Sequence, residues 1–230
     1  FKYVFPSVIE HFHLYTIAGW DVYGMEIIIA TIGLIIFGYL NIKGAGLSGQ
    51  IQFIFALIMV IGVVVLTLFV GIQPEAGLAN VQPLFPENTT AFVAVISIVA
   101  IAPWAYVGFD VVPQAAEEFN FPAKKAFSLI ILALLFAAVI YSFTVLATAM
   151  ADSWVTIETE NHLWGTAYAI AKVLGPVGLV ILVVALLMGI LTGLNGFTMA
   201  ASRLLYAMAR ARVIPNAFGE LHSEYKTPHK

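Results

Sequence analysis

The sequence predicts an all-α membrane protein with one discontinuous helix, and three observations carry that prediction. Hydrophobic residues make up 61% of the 230-residue chain and charged residues only 10%, against roughly 25% charged in soluble domains. Four uncharged stretches, 44–74, 88–109, 126–151 and 173–202, each supply the roughly 20 apolar residues needed to cross about 30 Å of hydrocarbon. Between Pro103 and Pro113 lies an acid, Asp110, at what would be membrane depth.

The same composition excludes other classes. A soluble fold needs more charge to cover its surface, and a disordered chain lacks this density of apolar and aromatic side chains. Zero cysteines exclude a disulfide-stapled domain. A net charge of -3 gives no reason to expect nucleic acid. The chain opens Phe1-Lys2-Tyr3 without an initiator Met and is expected to be a piece of a longer protein.

Five spans are expected within a single transmembrane region, at about 22–42, 48–71, 91–119, 126–150 and 175–209. Lys and Arg orient them. Lys43, Lys124, Lys125, Arg203, Arg210, Arg212, Lys226 and Lys230 fall on one side, Lys2 and Lys172 on the other. Basic residues accumulate in cytoplasmic loops, so 43–47, 120–125 and 203–230 are expected in the cytoplasm, and 1–21, 72–90 and 151–174 outside. Residues 72–90, with Pro74, Gly77, Pro83 and Pro86, read as irregular loop. For 162–174 a short helix against the membrane face and a solvated loop both remain open. Gly175-Pro176 punctuates before the fifth span.

The third span carries the strongest local signal. Pro103 and Pro113 each lack an N–H and clash with a carbonyl four residues back, those of Val99 and Phe109, and Gly108 weakens the helix between them. Stopping the helix near Tyr106 and restarting it after Asp110 removes the conflict. Asp110 then caps the second half-helix, with Pro113 harmless in its first turn. Freed backbone in a membrane is tolerated where it lines a cavity, and broken helices mark substrate sites in secondary transporters. A simple proline kink with Asp110 only as a cap is the other reading. Trp104 and Tyr106 beside the break read as ligand contacts or as packing.

In the fifth span Asn195, Thr198 and Ser202 share one helix face. They read either as an ion-coupling or cavity-lining stripe or as helix–helix hydrogen bonds beside the small residues Gly193 and Gly196. Glu117 and Glu118, near Lys124 and Lys125, read as an inner gate or as a solvated helix end. Arg203 and Arg210 are expected to snorkel to the interface. The five histidines, at 11, 13, 162, 222 and 229, are expected in loops, with no metal site. No metalloprotease, phosphate-loop or nucleophile-elbow motif occurs, so no enzyme is expected.

At these residues the chain resembles the amino acid permeases of the amino acid–polyamine–organocation superfamily. Four stretches carry the resemblance: Asn41 to Gly44 with Leu47 to Gln52, Trp104 to Asp110 followed by Ala116-Glu117-Glu118, Ser202 to Arg210, and His222 with Tyr225 to His229. The resemblance implies part of a leucine-transporter-type inverted-repeat helix bundle, with the five spans as helices four to eight and the third as the discontinuous sixth. It implies secondary active transport of amino acids or related amines by alternating access in the plasma (bacterial inner) membrane, with Trp104, Tyr106, Val107, Gly108, Phe109 and Asp110 binding substrate. The alternative is a non-transporting amino-acid sensor or partner-binding subunit on the same fold. No cofactor is expected. The coupling ion, H+ or Na+, and the oligomeric state stay open. Where some proton-coupled members carry a Lys in the fifth helix, Met59 stands here.

Overall fold

The computed structural model describes residues 5–86, 88–109, 111–114, 122–160, 162 and 164–229. The chain divides into two compact units, residues 1–55 with 189–230, and residues 56–188.

The first unit begins with a short turn of helix, α1 (Pro6–Ile9), and an antiparallel hairpin of β1 (His13–Ile17) and β2 (Trp20–Tyr23). The hairpin lies in a segment for which no strands were expected. From Tyr15 to Val22 polar Thr16 and Asp21 alternate with apolar neighbours about a tip at Ala18 and Gly19, both with positive φ, as a two-residue hairpin turn requires. Helix α2 (Gly24–Ile42) follows directly. The backbone N–H of Tyr23 donates to Glu26 Oε2 at 3.0 Å, so an acid closes the first turn where the helix dipole favours it. Gly44, at φ +118°, turns the chain into α3 (Ala45–Gly71).

The last part of α8 (Gly165–Arg210) completes this unit. Phe37 and Phe55 meet edge to face at 6.3 Å, and a Cβ at Gly33 would lie 3.0 Å from the Leu194 side chain. Small residues at such crossings allow backbones to approach closely, as in other membrane helix pairs. The chain then forms a 3-10 turn at Asn216–Gly219 and a closing loop, in which the Thr227 hydroxyl donates to the carbonyl of Ile42.

The second unit contains the rest of α3, a 3-10 turn at Leu78–Val81, α4 (Ala91–Ala105), α5 (Val111–Gln114), α6 (Ala123–Ala151), α7 (Trp154–Thr159) and the first part of α8. Its core is built from Leu66, Val70, Ile140, Ala147, Ile170 and Leu182. A Cβ at Gly62 would stand 2.9 Å from the Ala185 Cβ, so α3 and α8 meet at a contact that only glycine fits. Thr67 donates to its own helix at Val63 and is 3.2 Å from the Phe143 carbonyl of α6. The proline-bearing stretch 72–90 is pinned to the end of α6: Gly77 N and Asn80 Nδ2 both donate to the Met150 carbonyl, at 3.1 and 2.9 Å.

Among the described residues four helices are long and apolar enough to span a membrane: Gly24–Ile42, Gly46–Gly71, Lys124–Ala151 and Gly165–Arg210. Helix α4 has 15 residues, because the expected third span is interrupted at its middle. Ile35, Phe53, Ile98, Leu132 and Val180 are among many large apolar side chains left exposed on these helices. Such surface is stable only against hydrocarbon or further protein. Helix α8 has 46 residues, ~69 Å at 1.5 Å per residue, more than twice a membrane's apolar thickness. It is broken at Gly175, whose φ of 61° and ψ of -155° fall in a region open almost only to glycine. Pro176 then opens the apolar stretch, where a missing N–H does no harm. Of the two readings open for 162–174, the structure takes the helical one from Gly165 onward.

Candidate functional site

The interrupted helix lies in the second unit. Helix α4 ends at Ala105, and Tyr106 leaves helical geometry at φ -106°, ψ 7°. Tyr106 N donates back to the Pro103 carbonyl at 3.1 Å. Gly108 adopts φ +109°, a conformation that side chains with a Cβ rarely reach. Val111 N then bonds to the Gly108 carbonyl at 3.1 Å and helix resumes over Val111–Gln114, with Pro113 in its only turn. Residues 106–109 are therefore non-helical between two helical segments.

Tyr141 of α6 fixes one lip of this gap. Its hydroxyl donates to the Ala105 carbonyl at 2.6 Å, and its ring meets the Tyr106 ring edge to face at 5.6 Å. A tyrosine thus satisfies a carbonyl that the stopped helix leaves without a helical donor. Tyr141 was not among the residues expected here; as one aromatic in an apolar run it carries no sequence signal. Trp104, Val107 and Phe109 are exposed, Trp104 at 84%. Tyr106 and Gly108 are half-buried. Asp110, Glu117 and Glu118 lie outside the described residues.

The polar stripe of the fifth span lies in the first unit and divides. Asn195 is fully buried. Its Oδ1 accepts from Asn41 Nδ2 at 3.1 Å and from the Ser48 hydroxyl at 2.8 Å. Its Nδ2 donates to the Ser48 carbonyl at 3.3 Å and to Gln52 Oε1 at 3.0 Å. A carboxamide offers two donors and two acceptor sites, and all four are used. Asn195 thereby ties the last turn of α2 and the first turns of α3 to α8. Thr198 and Ser202 do not join it. Thr198 donates to the Leu194 carbonyl of its own helix, at 2.7 Å, and Ser202 to that of Met199, at 2.8 Å. Asn41, Ser48 and Gln52 belong to the stretches that carried the family resemblance, but no helical periodicity paired them with Asn195. Arg203 is 7% exposed and donates to the Ser202 hydroxyl at 2.9 Å, so it is packed inside the unit rather than snorkelling. Arg210 does reach outward, with its guanidinium 5.7 Å from the Tyr206 ring centre.

A second polar cluster sits where α6, α7 and α8 meet, beyond the apolar stretches. Lys172 Nζ donates to Asp152 Oδ2 at 2.6 Å, and this bond holds the ammonium above its ordinary pKa. Hydrogen bonds from Tyr168 and then from His162 hold the Glu160 carboxyl below its ordinary value, and the same Glu160 contact pushes the Tyr168 hydroxyl up. His162 stacks on Tyr168 with ring centres 3.8 Å apart. Of the other histidines expected in loops, His13 stands in β1 instead, 3.2 Å from Asp21. Among the described residues no group of three His, Cys, Asp or Glu is placed to hold a metal ion.

A family model described as amino acid permease matches residues 5–230. The chain belongs to the amino acid permease family. Among curated permeases and transporters, it is 27% identical over 195 residues to the branched-chain amino acid permease BcaP of Bacillus subtilis, covering 83% of this chain and 39% of that protein. It is 28% identical over 176 residues to the methylthioribose transporter of the same organism, covering 75% and 36%. It is 28% identical over 155 residues to the vacuolar cationic amino acid transporter 8 of Arabidopsis thaliana, covering 65% and 24%. The chain therefore spans less than half the length of these relatives. The permease family is one of transporters rather than enzymes, and it accounts for the long apolar helices as integral, multi-pass membrane structure.

Proposed function

We propose that the whole protein of which this chain is part moves amino acids or related amines across a membrane by alternating access. The observation that carries this reading is the non-helical segment Tyr106 to Phe109 between α4 and α5. Backbone amides and carbonyls released there are the groups that recognise the charged ends of a small zwitterion. Trp104 and Tyr106 flank the gap with aromatic surface for its side chain, and Val107, Gly108 and Phe109 supply the backbone. In this proposal Asp110, next in sequence before α5, is the acid assigned to cap the second half-helix. The glycine at 108 lets a ligand approach the main chain without meeting a Cβ.

The five apolar segments form one transmembrane region in this proposal, with α4 and α5 together making the third crossing. The Lys and Arg bias supports a cytoplasmic position for 43–47, 120–125 and 203–230, and the membrane proposed is the plasma (bacterial inner) membrane. Glu117 and Glu118, which precede Lys124 and Lys125 in sequence, are assigned to an inner gate in this proposal. Relatives named for branched-chain amino acids, methylthioribose and cationic amino acids show how little family membership alone fixes the cargo. With the Asn195 carboxamide fully occupied by protein partners, ion coupling through Thr198 and Ser202 is the weaker part of the reading, and H+, Na+ and exchange are separated by experiment.

That experiment uses the full-length protein in proteoliposomes and a pooled set of labelled amino acids. Uptake is followed with an inward proton gradient, with a sodium gradient and with neither. Gradient-driven accumulation is the expected result and names the ion. Flux that requires internal amino acid makes the protein an exchanger. Saturable binding with no flux under any condition overturns transport in favour of a sensor.

A further inference from the structure

The hairpin before α2 has two unlike faces. On one, His13 Nε2 lies 3.2 Å from both Thr16 Oγ1 and Asp21 Oδ1, and the Thr16 hydroxyl donates to Asp21. These three side chains share a face, which His13 reaches because the strand register shifts between His13 and Tyr15. Neighbouring residues in a strand point to opposite faces, so Tyr15 and Ile17 of β1 and Trp20 and Val22 of β2 make up the other. They are cross-strand partners, Tyr15 with Val22 and Ile17 with Trp20. Tyr15 is 51%, Trp20 53% and Ile17 62% exposed. A lone two-stranded hairpin is marginal in water unless an apolar face is covered.

The position of the hairpin identifies the cover. Tyr23 ends β2 and Gly24 begins α2, so there is no linker between hairpin and span. The 19 residues of α2 reach ~28 Å, which is the thickness of the hydrocarbon core. Tyr23 therefore stands at the level where acyl chains give way to headgroups. Gly24 N also donates to the Phe12 carbonyl at 2.8 Å, which holds the base of the hairpin against the helix end. Tyrosine and tryptophan are the side chains that concentrate at this level, with their rings in the apolar boundary and their polar atoms toward water. The hairpin thus adjoins α2, on which Ile27, Ile28, Ile32 and Ile35 are exposed apolar side chains.

We infer that β1 and β2 lie along the membrane surface, with Tyr15, Ile17 and Trp20 against the acyl boundary of the lipid and His13, Thr16 and Asp21 turned to water. The partner is the bilayer itself. The hairpin acts as a lateral anchor that sets the depth of α2.

The test uses the full-length protein with single cysteines at Tyr15→Cys, Thr16→Cys and Ile17→Cys, any cysteine elsewhere in the protein being replaced. Each is labelled with an environment-sensitive fluorophore and reconstituted in phosphatidylcholine–phosphatidylglycerol vesicles. Lipids spin-labelled near the headgroup and aqueous iodide serve as opposing quenchers. The expected result is a period of two: positions 15 and 17 quenched severalfold more by lipid than position 16, with the order reversed for iodide. Strong iodide quenching at all three positions overturns the inference, because the hairpin then stands in water. Protection of 15 and 17 from both quenchers also overturns it and assigns the face to protein, either a second copy or another part of the full chain. A reading without cysteines follows Trp20 alone, with the other tryptophans replaced by phenylalanine. Quenching of its emission by brominated lipids supports the anchor, and its absence contradicts it.

Discussion

Asn195 accepts the Ser48 hydroxyl at 2.8 Å across 147 residues of chain, with both side chains fully buried. Together with Asn41 and Gln52 this pair saturates one carboxamide and ties three helices in the first unit. In a membrane such bonds average ~0.6 kcal/mol each, and a polar group left without its partner in an apolar interior costs about 1–3 kcal/mol. Asn195→Ala is therefore expected to remove about 2 kcal/mol from the full-length protein. Ser48→Ala should cost less, because Asn41 still reaches the same oxygen. Thermal unfolding in detergent measures both, and the double variant should lose less than the sum of the two single losses. Strict additivity would show that Asn195 and Ser48 act independently.

Gly62 is expected to tolerate no side chain. With 2.9 Å between a Cβ there and that of Ala185, the obstacle is another Cβ on a helix rather than the end of a flexible chain. Gly62→Ala should cost about 1–3 kcal/mol, the range for overpacking. Ala185→Gly in the same protein should recover much of it. Melting temperatures of the single and double variants decide the matter.

Gly175→Ala tests the break in α8. A Cβ at φ 61°, ψ -155° is expected to cost about 1–3 kcal/mol of strain. Open space surrounds the position, so the loss comes from the backbone alone. Gly175→Ser should therefore behave like the alanine variant, and unchanged melting temperatures for both would contradict the observed break.

The cluster around Tyr168 sets pH limits on local stability. The depressed Glu160 carboxyl contributes stability that is present above its ordinary value of 4.5 and is lost as pH falls through the lowered value. The raised Lys172 ammonium and Tyr168 hydroxyl act in the opposite sense. Their contribution is present below their ordinary values of 10.5 and 10.0 and is lost as pH rises through the raised ones. Proteolysis between α6 and α8 should be slowest at intermediate pH and quicken on both sides. Asp152→Asn should bring the alkaline limb to lower pH, and Glu160→Gln should remove the acid limb. An unchanged profile in both variants would show that these contacts do not order the segment.

Several features were legible in the sequence for physical reasons. Apolar length announces α2, α3, α6 and α8. The interruption of α4 follows from Pro103, Gly108 and Pro113, because missing donors and a missing Cβ act locally whatever the tertiary context. The break before the last span follows in the same way from Gly175-Pro176. Contacts between distant segments were not legible. A helical period pairs Asn195 with Thr198 and Ser202 on one helix, whereas its partners Asn41, Ser48 and Gln52 lie on two others. Tyr141 gives no sign of its bond to Ala105. The hairpin gives no clear sequence signal, because strands of five and four residues fall below the length at which alternation stands out from an aromatic-rich loop.

On the proposed function, the non-helical segment at 106–109 and its flanking residues contact the transported molecule. The most direct measurement is initial uptake of labelled amino acid by proteoliposomes of the full-length protein, comparing wild type with Tyr106→Ala and Asp110→Ala at matched insertion and melting temperature. Asp110→Ala is expected to abolish uptake, and Tyr106→Ala to raise the half-saturating concentration or remove uptake. Wild-type rates and half-saturating concentrations in both variants would contradict it.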